Sequence, residues 1–546
     1  MQNLTAQKLV IALIVVGFFV LAPWLTVQVL GGNKLPFLFL FGIGFLLLFI
    51  FGLKDRCWLI IPFSLPIEGR LNFLPLNFSM QETAIILVVA YFFIRIAMGH
   101  QIRFRFGPKI IWLPLVGLLA IFAYHWIASG DIGIKALGGT SWGARKYFSI
   151  FLAVATIPIL ASFSGASWRD FQKVPFLFFL GVFADLIPDT ITTLVPATAP
   201  YIFQIYSAVN IGAYGTEIQG NFVGNVGITR FTPFRILGQA LCLLIFCYFP
   251  SYTWLNPARL WAVPVLILGF FACAFSGFRA AIFNLAVISS AALLATARAR
   301  IILLLPIAAA GALLITSTQG HLIDYPENIQ RSLSFLPGTW NKKASSEGDE
   351  SNKWRERIRQ LFFREYFQKA PWFGTGFSFN PEYAKKTTEL FLRMATLSEN
   401  DPFRDVRSFI ELKQPHEGDI FALQTSGIIG TFFFITFCLA SIGFALKSVF
   451  RYRPVDVSPV QIWALAILTQ QSAAFFTVFG DYWMTLSIMC PVISILYASE
   501  TFRPKPLGLS MATLTTAQKI HPSPLQSGRP NHEHEPTASH SAPYVS

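Results

Sequence analysis

Hydrophobic residues in this sequence gather into long blocks that are separated by polar connections. Most blocks are about 20 residues long, the length of helix that crosses a hydrocarbon core of about 30 Å. A shorter stretch, Cys57–Pro66, is interrupted by proline and is either a brief or a re-entrant crossing. The pattern predicts an all-α fold, a polytopic membrane helix bundle with about 12–14 transmembrane segments. The predicted spans are Leu9–Leu30, Leu35–Leu53, Glu82–Met98, Ile110–Ala128, Tyr147–Phe163, Pro175–Val195, Ile236–Phe249, Leu260–Phe275, Ala280–Ala297, Ile301–Ile315, Ile420–Leu446, Val460–Phe479 and Tyr482–Ala498.

Composition agrees with this pattern. Of the 546 residues, 54% are hydrophobic and only 13% are charged, whereas soluble domains carry roughly 25% charged residues. The first block, Leu9–Leu30, is too long for the core of a signal peptide, so we interpret it as a retained span. The chain is therefore predicted to lie mainly in a lipid bilayer.

Basic connections predict the orientation of the spans. Residues 95–109, 298–300 and 447–453 are rich in Lys and Arg, and counting crossings puts all three on one face. Both termini share that face if Cys57–Pro66 crosses. Because positive loops stay in the cytoplasm, residues 316–418 are predicted to lie outside. Their own charge is nearly balanced, so the net charge of +14 reflects membrane topology and does not indicate nucleic-acid binding.

The same count predicts four regions. Residues 1–315 form an N-terminal transmembrane bundle, and 316–419 form one large helical extracytoplasmic (periplasmic) loop. Residues 420–500 hold the C-terminal transmembrane helices. Residues 501–546 are rich in Pro, Ser, Thr and His without an apolar period, which predicts a disordered cytoplasmic tail.

The large loop has a pattern of its own. Residues 342–353 (KKASSEGDESNK) are polar, and we expect a flexible insert there. The segment Trp354–Lys369 places apolar side chains on one helical face and predicts an amphipathic helix. Pro371 ends that helix, and the glycines of residues 370–377 (APWFGTGF) predict a tight turn. The apolar face consists of Trp354, Ile358, Leu361 and Phe362.

Three short motifs follow one another within residues 260–445. The first is an S-x-x-R pattern, Ser276–Arg279, at the extracytoplasmic start of a predicted span. The second is the basic amphipathic helix with its P-x-F-G-x-G turn, Pro371–Gly376. The third is His416 followed by the G-I-x-G pattern Gly427–Gly430. In their order and shared side of the membrane, these segments resemble the O-antigen ligase and O-antigen polymerase superfamily of bacterial polytopic membrane glycosyltransferases.

The resemblance implies a multi-pass protein of the bacterial inner (cytoplasmic) membrane whose active face is extracytoplasmic. It implies transfer of a glycan from an undecaprenyl-diphosphate-linked donor to an acceptor hydroxyl, on a glycan or on lipid A core. The implied partners are that donor, that acceptor and the lipid bilayer, and the implied chemistry uses no cofactor and no metal. Ligase, polymerase and protein O-glycan transferase activities all stay open.

A diphosphate leaving group needs cations, and the resemblance implies that Arg279 and Arg230 supply them. A guanidinium group holds two phosphate oxygens at once while it stays charged. Arg235 precedes the same span as Arg230 and is a further substrate-binding candidate, and so are Arg355 and Arg359 on the loop helix. The alternatives are interfacial arginines that extend to lipid headgroups and a solvated helix face.

His416 is the candidate general base, because imidazole titrates near neutrality and can accept the proton of a hydroxyl. The family usually has Asn after this histidine, whereas this chain has Glu417. We predict that Glu417 contacts substrate, and that either Glu417 or Asp419 orients His416 or accepts its proton in turn. The alternative is that His416 and Asp419 cap the following helix.

Two other classes of function compete with a transferase. A transporter or flippase for lipid-linked glycans predicts internal repeats and broken, charged helices near the bilayer midplane. A non-catalytic subunit for envelope assembly requires no arginines and histidine on one face. Neither class explains the three ordered motifs.

Overall fold

The computed structural model describes residues 52–72, 78–100, 102–129, 144–163, 166–207, 231–250, 256–298, 304–377, 403–411 and 417–504, and single residues at 253, 302 and 413. The first two predicted spans, apart from residues 52 and 53, and the predicted tail beyond residue 504 lie outside the described residues. So do Arg230 and His416.

Helices dominate the described part of the chain, which contains seventeen α-helices. They are α1 Ile60–Ser64, α2 Met80–Ala97, α3 Trp112–Ala128, α4 Ala144–Ala161, α5 Trp168–Gln172, α6 Val174–Leu194, α7 Ala199–Ile205, α8 Thr232–Tyr248, α9 Ala262–Phe275, α10 Arg279–Ala297, α11 Leu304–Thr318, α12 Glu327–Leu333, α13 Lys342–Leu361, α14 Arg404–Glu411, α15 Gly418–Phe450, α16 Pro459–Thr477 and α17 Tyr482–Phe502.

The strands are minimal: β1, Arg70–Leu71, pairs antiparallel with β2, Tyr206–Ser207. Seven of the described helices are long and apolar enough to cross a membrane. The predicted fold class, an all-α polytopic membrane bundle, is therefore confirmed. Around the short stretch Cys57–Pro66, a 3₁₀ helix, Lys54–Leu59, is followed by α1. Together they span about 20 Å, a length that fits a re-entrant segment better than a full crossing.

Helix α16 lies at the centre of the described bundle, where it contacts α10, α15 and α17. An aromatic cluster joins α15, α16 and α17. The ring of Phe434 lies 4.5 Å from that of Phe475 and 4.8 Å from that of Tyr482, measured between centroids. Rings of this size bury large apolar areas, so the cluster holds α15, α16 and α17 together.

One prediction for the large loop is wrong. The polar residues 342–353, expected to be a flexible insert, are the first three turns of α13, which begins after the capping side chain of Asn341 and runs to Leu361. Ala344 and Gly348 are buried in this segment, so small residues let the helix pack closely. The predicted apolar face further along α13 does form, with Ile358 and Leu361 fully buried. A π-helical turn, Phe362–Tyr366, then leads into the glycine turn.

The glycine turn is inserted into a break in α15. Gly427 has a φ of +65° within that helix, which interrupts the regular backbone hydrogen bonds. Backbone groups of the turn take their place: Thr375 N–H donates to Gln424 O at 2.8 Å, and Gly376 N–H donates to Thr425 O at 2.9 Å. From the other side, Ile428 N–H donates to the carbonyl of Pro371 at 2.8 Å. The glycine turn of the second motif and the G-I-x-G segment of the third are thus one interlocked unit.

Side chains hold the same turn from outside α15. His125 Nε2 lies 2.8 Å from Phe373 O, and Phe377 N–H donates to the hydroxyl of Tyr147 at 2.7 Å. Lys413 Nζ donates to the carbonyl oxygens of residues 375 and 376 at 2.9 and 2.6 Å. The turn is therefore fixed to α3 and α4 as well as to α15.

We predict that Gly427→Ala destabilises the protein strongly. Gly427 combines φ +65° with ψ −169°, a region that essentially only glycine adopts, so alanine there costs about 1–3 kcal/mol. The added Cβ would also overlap the backbone of Trp372. Gly443→Ala is the matched control, because Gly443 lies in the same helix with open space around it. The melting temperature of purified protein in detergent should fall for Gly427→Ala alone; an equal effect of the two substitutions would contradict the interlocked turn.

Candidate functional site

A cavity of about 480 Å³ lies where the N-terminal end of α10 meets α12, α13 and the C-terminal end of α16. Three arginines, Arg279, Arg331 and Arg355, line it, and an apolar wall that includes Phe283 and Phe335 faces them. A cavity of this character combines a place for negative charge with a surface for a hydrocarbon chain.

The S-x-x-R motif forms the turn that brings Arg279 to this cavity. Gly277 has a φ of +78°, which allows the chain to reverse sharply between α9 and α10. Ser276 is fully buried; its hydroxyl donates to Cys273 O at 2.6 Å and accepts from Phe278 N–H at 3.3 Å. The serine therefore shapes the turn, and Arg279 begins α10 at the cavity wall.

Protein contacts hold the Arg279 side chain in place. Its Nη2 donates to Ser334 Oγ at 2.6 Å, and its Nε lies 3.4 Å from the carbonyl oxygen of Arg331. The guanidinium also packs on Gly348 of α13, where an added Cβ would overlap it. Arg279 is thus directed into a protein cavity, which argues against the alternative of a side chain that extends to lipid headgroups.

Arg331 is a cavity residue that sequence reasoning missed. It is only 7% exposed, its Nε donates to Glu347 Oε2 at 2.7 Å, and its Nη1 donates to the carbonyl oxygen of Gly277. The available signal was the apolar pair Ile329 and Leu333 on either side of it, which predicts a short packed helix in an interval that reads as polar.

Helix α13 carries two predicted arginines one turn apart. Arg355 lines the cavity, and Arg359 lies 3.1 Å through Nε from Glu417 Oε2 and 3.7 Å through Nη2 from Asp419 Oδ2. Residues four apart share one helical face, so α13 joins the cavity to the start of α15. Arg355 is thus half-buried at the cavity, whereas Arg359 keeps an exposed side chain beside Glu417.

Glu417 immediately precedes α15 and is 5% exposed. Neither of its carboxylate oxygens has a partner with hydrogen-bond geometry among the described residues, although Arg359 is within ion-pair distance. Burial raises the pKa of Glu417 to about 7; Arg359 opposes this shift, Asp419 adds to it, and Arg355 opposes it more weakly. A carboxyl with this pKa exchanges protons near neutral pH.

Of the remaining predicted site residues, the structure describes Arg235 but not Arg230 or His416. Arg235, on α8, lies with its guanidinium 5.3 Å from the ring centroid of Phe278, so it stacks behind a residue that lines the cavity. Arg230 and His416 lie outside the described residues, and their predicted roles stay predictions. Within the described part of the chain, no group of three or more His, Cys, Asp or Glu side chains forms a candidate metal site.

Fold and site together define a multi-pass helical membrane protein with an arginine-lined cavity at one end of its bundle. The family model described as O-antigen ligase matches residues 264–435, which include Arg279, Arg331, Arg355 and Glu417. This match confirms the predicted resemblance to the O-antigen ligase superfamily and supports a glycan-transferring role in polysaccharide assembly. No curated protein matches the chain.

We predict that Glu417→Gln changes how stability depends on pH. The folded pKa of about 7 lies above the ordinary value of 4.5, so stability contributed by protonated Glu417 is lost as pH rises between these values. The melting temperature of the wild type should therefore fall relative to that of Glu417→Gln between about pH 5 and about pH 8.

Glu365→Gln provides the control of opposite sign. Hydrogen bonds from Arg407 and Arg364 lower the pKa of Glu365 to about 2, so its stabilising contribution is lost only as pH falls below about 4.5. Glu365→Gln should run parallel to the wild type across the neutral range. A parallel curve for Glu417→Gln as well would show that Glu417 is not protonated on folding.

Proposed function

We propose that this protein is a membrane glycosyltransferase of the O-antigen ligase or polymerase type. It moves a glycan from an undecaprenyl-diphosphate carrier to an acceptor hydroxyl in cell-surface polysaccharide assembly. The observation that supports this most is the cavity with three arginines and an apolar wall, which lies largely within the segment that matches the family.

The donor end of the reaction needs positive charge that becomes more effective as the bond breaks. When the anomeric carbon leaves the diphosphate oxygen, negative charge grows on the carrier diphosphate. Arg279 and Arg355, with Arg230 from the preceding region, bind that diphosphate, since fixed guanidinium groups stabilise developing charge without reorganisation. These groups supply the cationic charge, so the proposed transfer requires neither a metal ion nor a cofactor.

The acceptor end needs a base. His416 takes the proton of the acceptor hydroxyl as its oxygen attacks the anomeric carbon, and the lipid diphosphate departs as the leaving group. Glu417 lies next to His416 in the chain, and its pKa of about 7 fits a group that orients the imidazole and takes up its proton. Arg359, near the end of α13, forms an ion pair with Glu417.

The proposed setting is the bacterial inner membrane, with residues 316–419 on the extracytoplasmic face. In that orientation the arginine cavity opens on the side where lipid-linked glycans are polymerised or ligated. The acceptor is a sugar of lipid A core, the end of another lipid-linked glycan or a protein hydroxyl, and its identity separates a ligase, a polymerase and a protein O-glycan transferase.

We predict that Arg279→Ala lowers transfer by at least about 100-fold, because it removes a charge that acts on the leaving group. The assay uses purified protein in lipid, undecaprenyl-diphosphate-linked glycan and candidate acceptors, and it measures both product and released carrier. His416→Ala should fall by at least a similar factor. Arg453→Ala, an exposed arginine after α15, is the matched control and should leave the rate unchanged.

The same assay separates the competing class of function. Failure of the wild type to form product with every acceptor, combined with movement of lipid-linked glycan across the bilayer, would contradict the transferase and support a transporter. Equal rates of transfer by the wild type and Arg279→Ala would contradict a role for the arginine-lined cavity in the reaction.

A further inference from the structure

We propose that Arg331 is a positioning residue for the donor site: it fixes the orientation of Arg279 by bridging helix α13 and the turn at Gly277, before α10. This inference rests on the proposed function for the identity of the ligand that Arg279 holds. The arrangement that carries it involves only described residues.

Arg331 joins three separate segments. Arg331 itself belongs to α12. Its Nη1 donates to the carbonyl of Gly277 in the turn before α10, and its Nε donates to Glu347 in α13 at 2.7 Å. These three segments form one side of the cavity. A buried guanidinium that is paired and hydrogen-bonded in this way holds its partners in one geometry, because leaving any of them alone would be costly.

The end of α12 then holds Arg279. The carbonyl oxygen of Arg331 lies 3.4 Å from Arg279 Nε, and Ser334 Oγ accepts from Arg279 Nη2 at 2.6 Å. Ser334 Oγ also donates to the Arg331 carbonyl at 3.0 Å, so both acceptors belong to one small unit. Any shift of α12 therefore moves both atoms that receive the Arg279 hydrogen bonds.

Helix α12 depends on tertiary contacts for its position. It contains seven residues, and a helix this short is not stable alone. Ile329 and Leu333 attach it to the bundle by packing with Ala274 and Phe275 at the end of α9. Arg331 supplies the polar side of the same attachment, which makes the direction of Arg279 sensitive to this one residue.

The charge of Arg331 supports positioning over direct binding. Its ion pair with Glu347 offsets its charge, whereas both hydrogen-bond partners of Arg279 are neutral. Arg279 can therefore bind a diphosphate with its full charge while Arg331 keeps it in place. Lysine cannot replace Arg331, because a single ammonium group lacks the planar fork that reaches the Gly277 carbonyl and Glu347 together.

A substitution at Gly348 tests the orientation of Arg279 without changing Arg331. This glycine lies one residue beyond Glu347 in α13, and an added Cβ would overlap the guanidinium of Arg279. Gly348→Ala leaves both partners of Arg331 intact and displaces only the group that Arg331 is inferred to position. If orientation of Arg279 controls donor binding, Gly348→Ala and Arg331→Lys should have the same effect.

The test is a double-mutant cycle on binding of undecaprenyl diphosphate to the purified full-length protein in lipid nanodiscs. Arg331→Lys should weaken binding about tenfold in the wild-type background and should have little further effect in Arg279→Ala. Glu347→Gln should show the same dependence on Arg279. With donor and acceptor present, Arg331→Lys should lower kcat/KM by a similar factor that also disappears in the Arg279→Ala background.

Arg298→Lys is the control for a merely structural arginine. Arg298 also links separate helices, since its Nη2 donates to the carbonyls of Val449 and Tyr452 at 2.8 and 2.9 Å, but it does not line the cavity. It should lower the melting temperature without changing the affinity for undecaprenyl diphosphate.

Two outcomes would overturn the inference. Equal weakening by Arg331→Lys with and without Arg279 would mean that Arg331 binds the diphosphate directly. A lower melting temperature with unchanged affinity would mean that Arg331 is structural only. Failure of the proposed function looks different: the wild type would bind undecaprenyl diphosphate with the predicted coupling and still form no glycosidic product.

Discussion

The break in α15 at Gly427 is the constraint on which the position of the large loop depends. A helix interrupted near the end of a membrane span leaves backbone groups that lipid cannot satisfy, so another part of the chain must hydrogen-bond to them. The turn at residues 370–377 does this, with donors and acceptors on both sides of the break. The large loop therefore cannot be a separate appendage: its glycine turn completes a helix of the bundle.

That attachment determines where α13 lies. Upstream of the turn, Ile358, Leu361 and Phe362 pack with Val406, Ile410 and Ile420, so the loop helix is held against α14 and the beginning of α15. Further upstream, Glu347 and Gly348 meet Arg331 and Arg279. Helix α13 thus connects the turn at Gly277 with the start of α15. The cavity exists because these two attachments hold α13 over the end of the bundle.

Sequence reasoning recovered the parts of this arrangement that depend on local pattern. Helices form at the predicted spans that the structure describes, since 20-residue apolar blocks admit few other structures in a membrane. The apolar face of α13 was visible because Ile358, Leu361 and Phe362 repeat with helical period. Arg279 was singled out by the S-x-x-R motif that carries the family resemblance, and an arginine at the end of an apolar run also needs a partner or a cavity. These inferences require only the residues within one segment.

The misses depend on contacts between distant segments. Residues 342–353 read as flexible because their helix is stabilised by small residues and an ion pair to α12, neither of which leaves an apolar period. Arg331 was missed for the same reason: its inferred role depends on two hydrogen-bond partners that are 54 and 16 residues away in sequence. The pairing of the glycine turn with Gly427 was likewise invisible, although each motif was recognised separately.

The spacing of the charged groups on α13 gives the proposed reaction a geometric basis. Arg355 faces the cavity, and Arg359, one helical turn and about 6 Å further along the axis, pairs with Glu417. In the proposed reaction, the diphosphate that leaves and the hydroxyl that attacks must lie on opposite sides of one anomeric carbon. In that proposal, Arg355 and Arg359 would place the cation site and the proton-accepting site about 6 Å apart along the axis of α13. Glu417 in place of the usual asparagine adds a group that titrates near neutral pH at the second of these sites. In the proposed reaction, helix α13 would therefore link transfer of the proton to departure of the diphosphate.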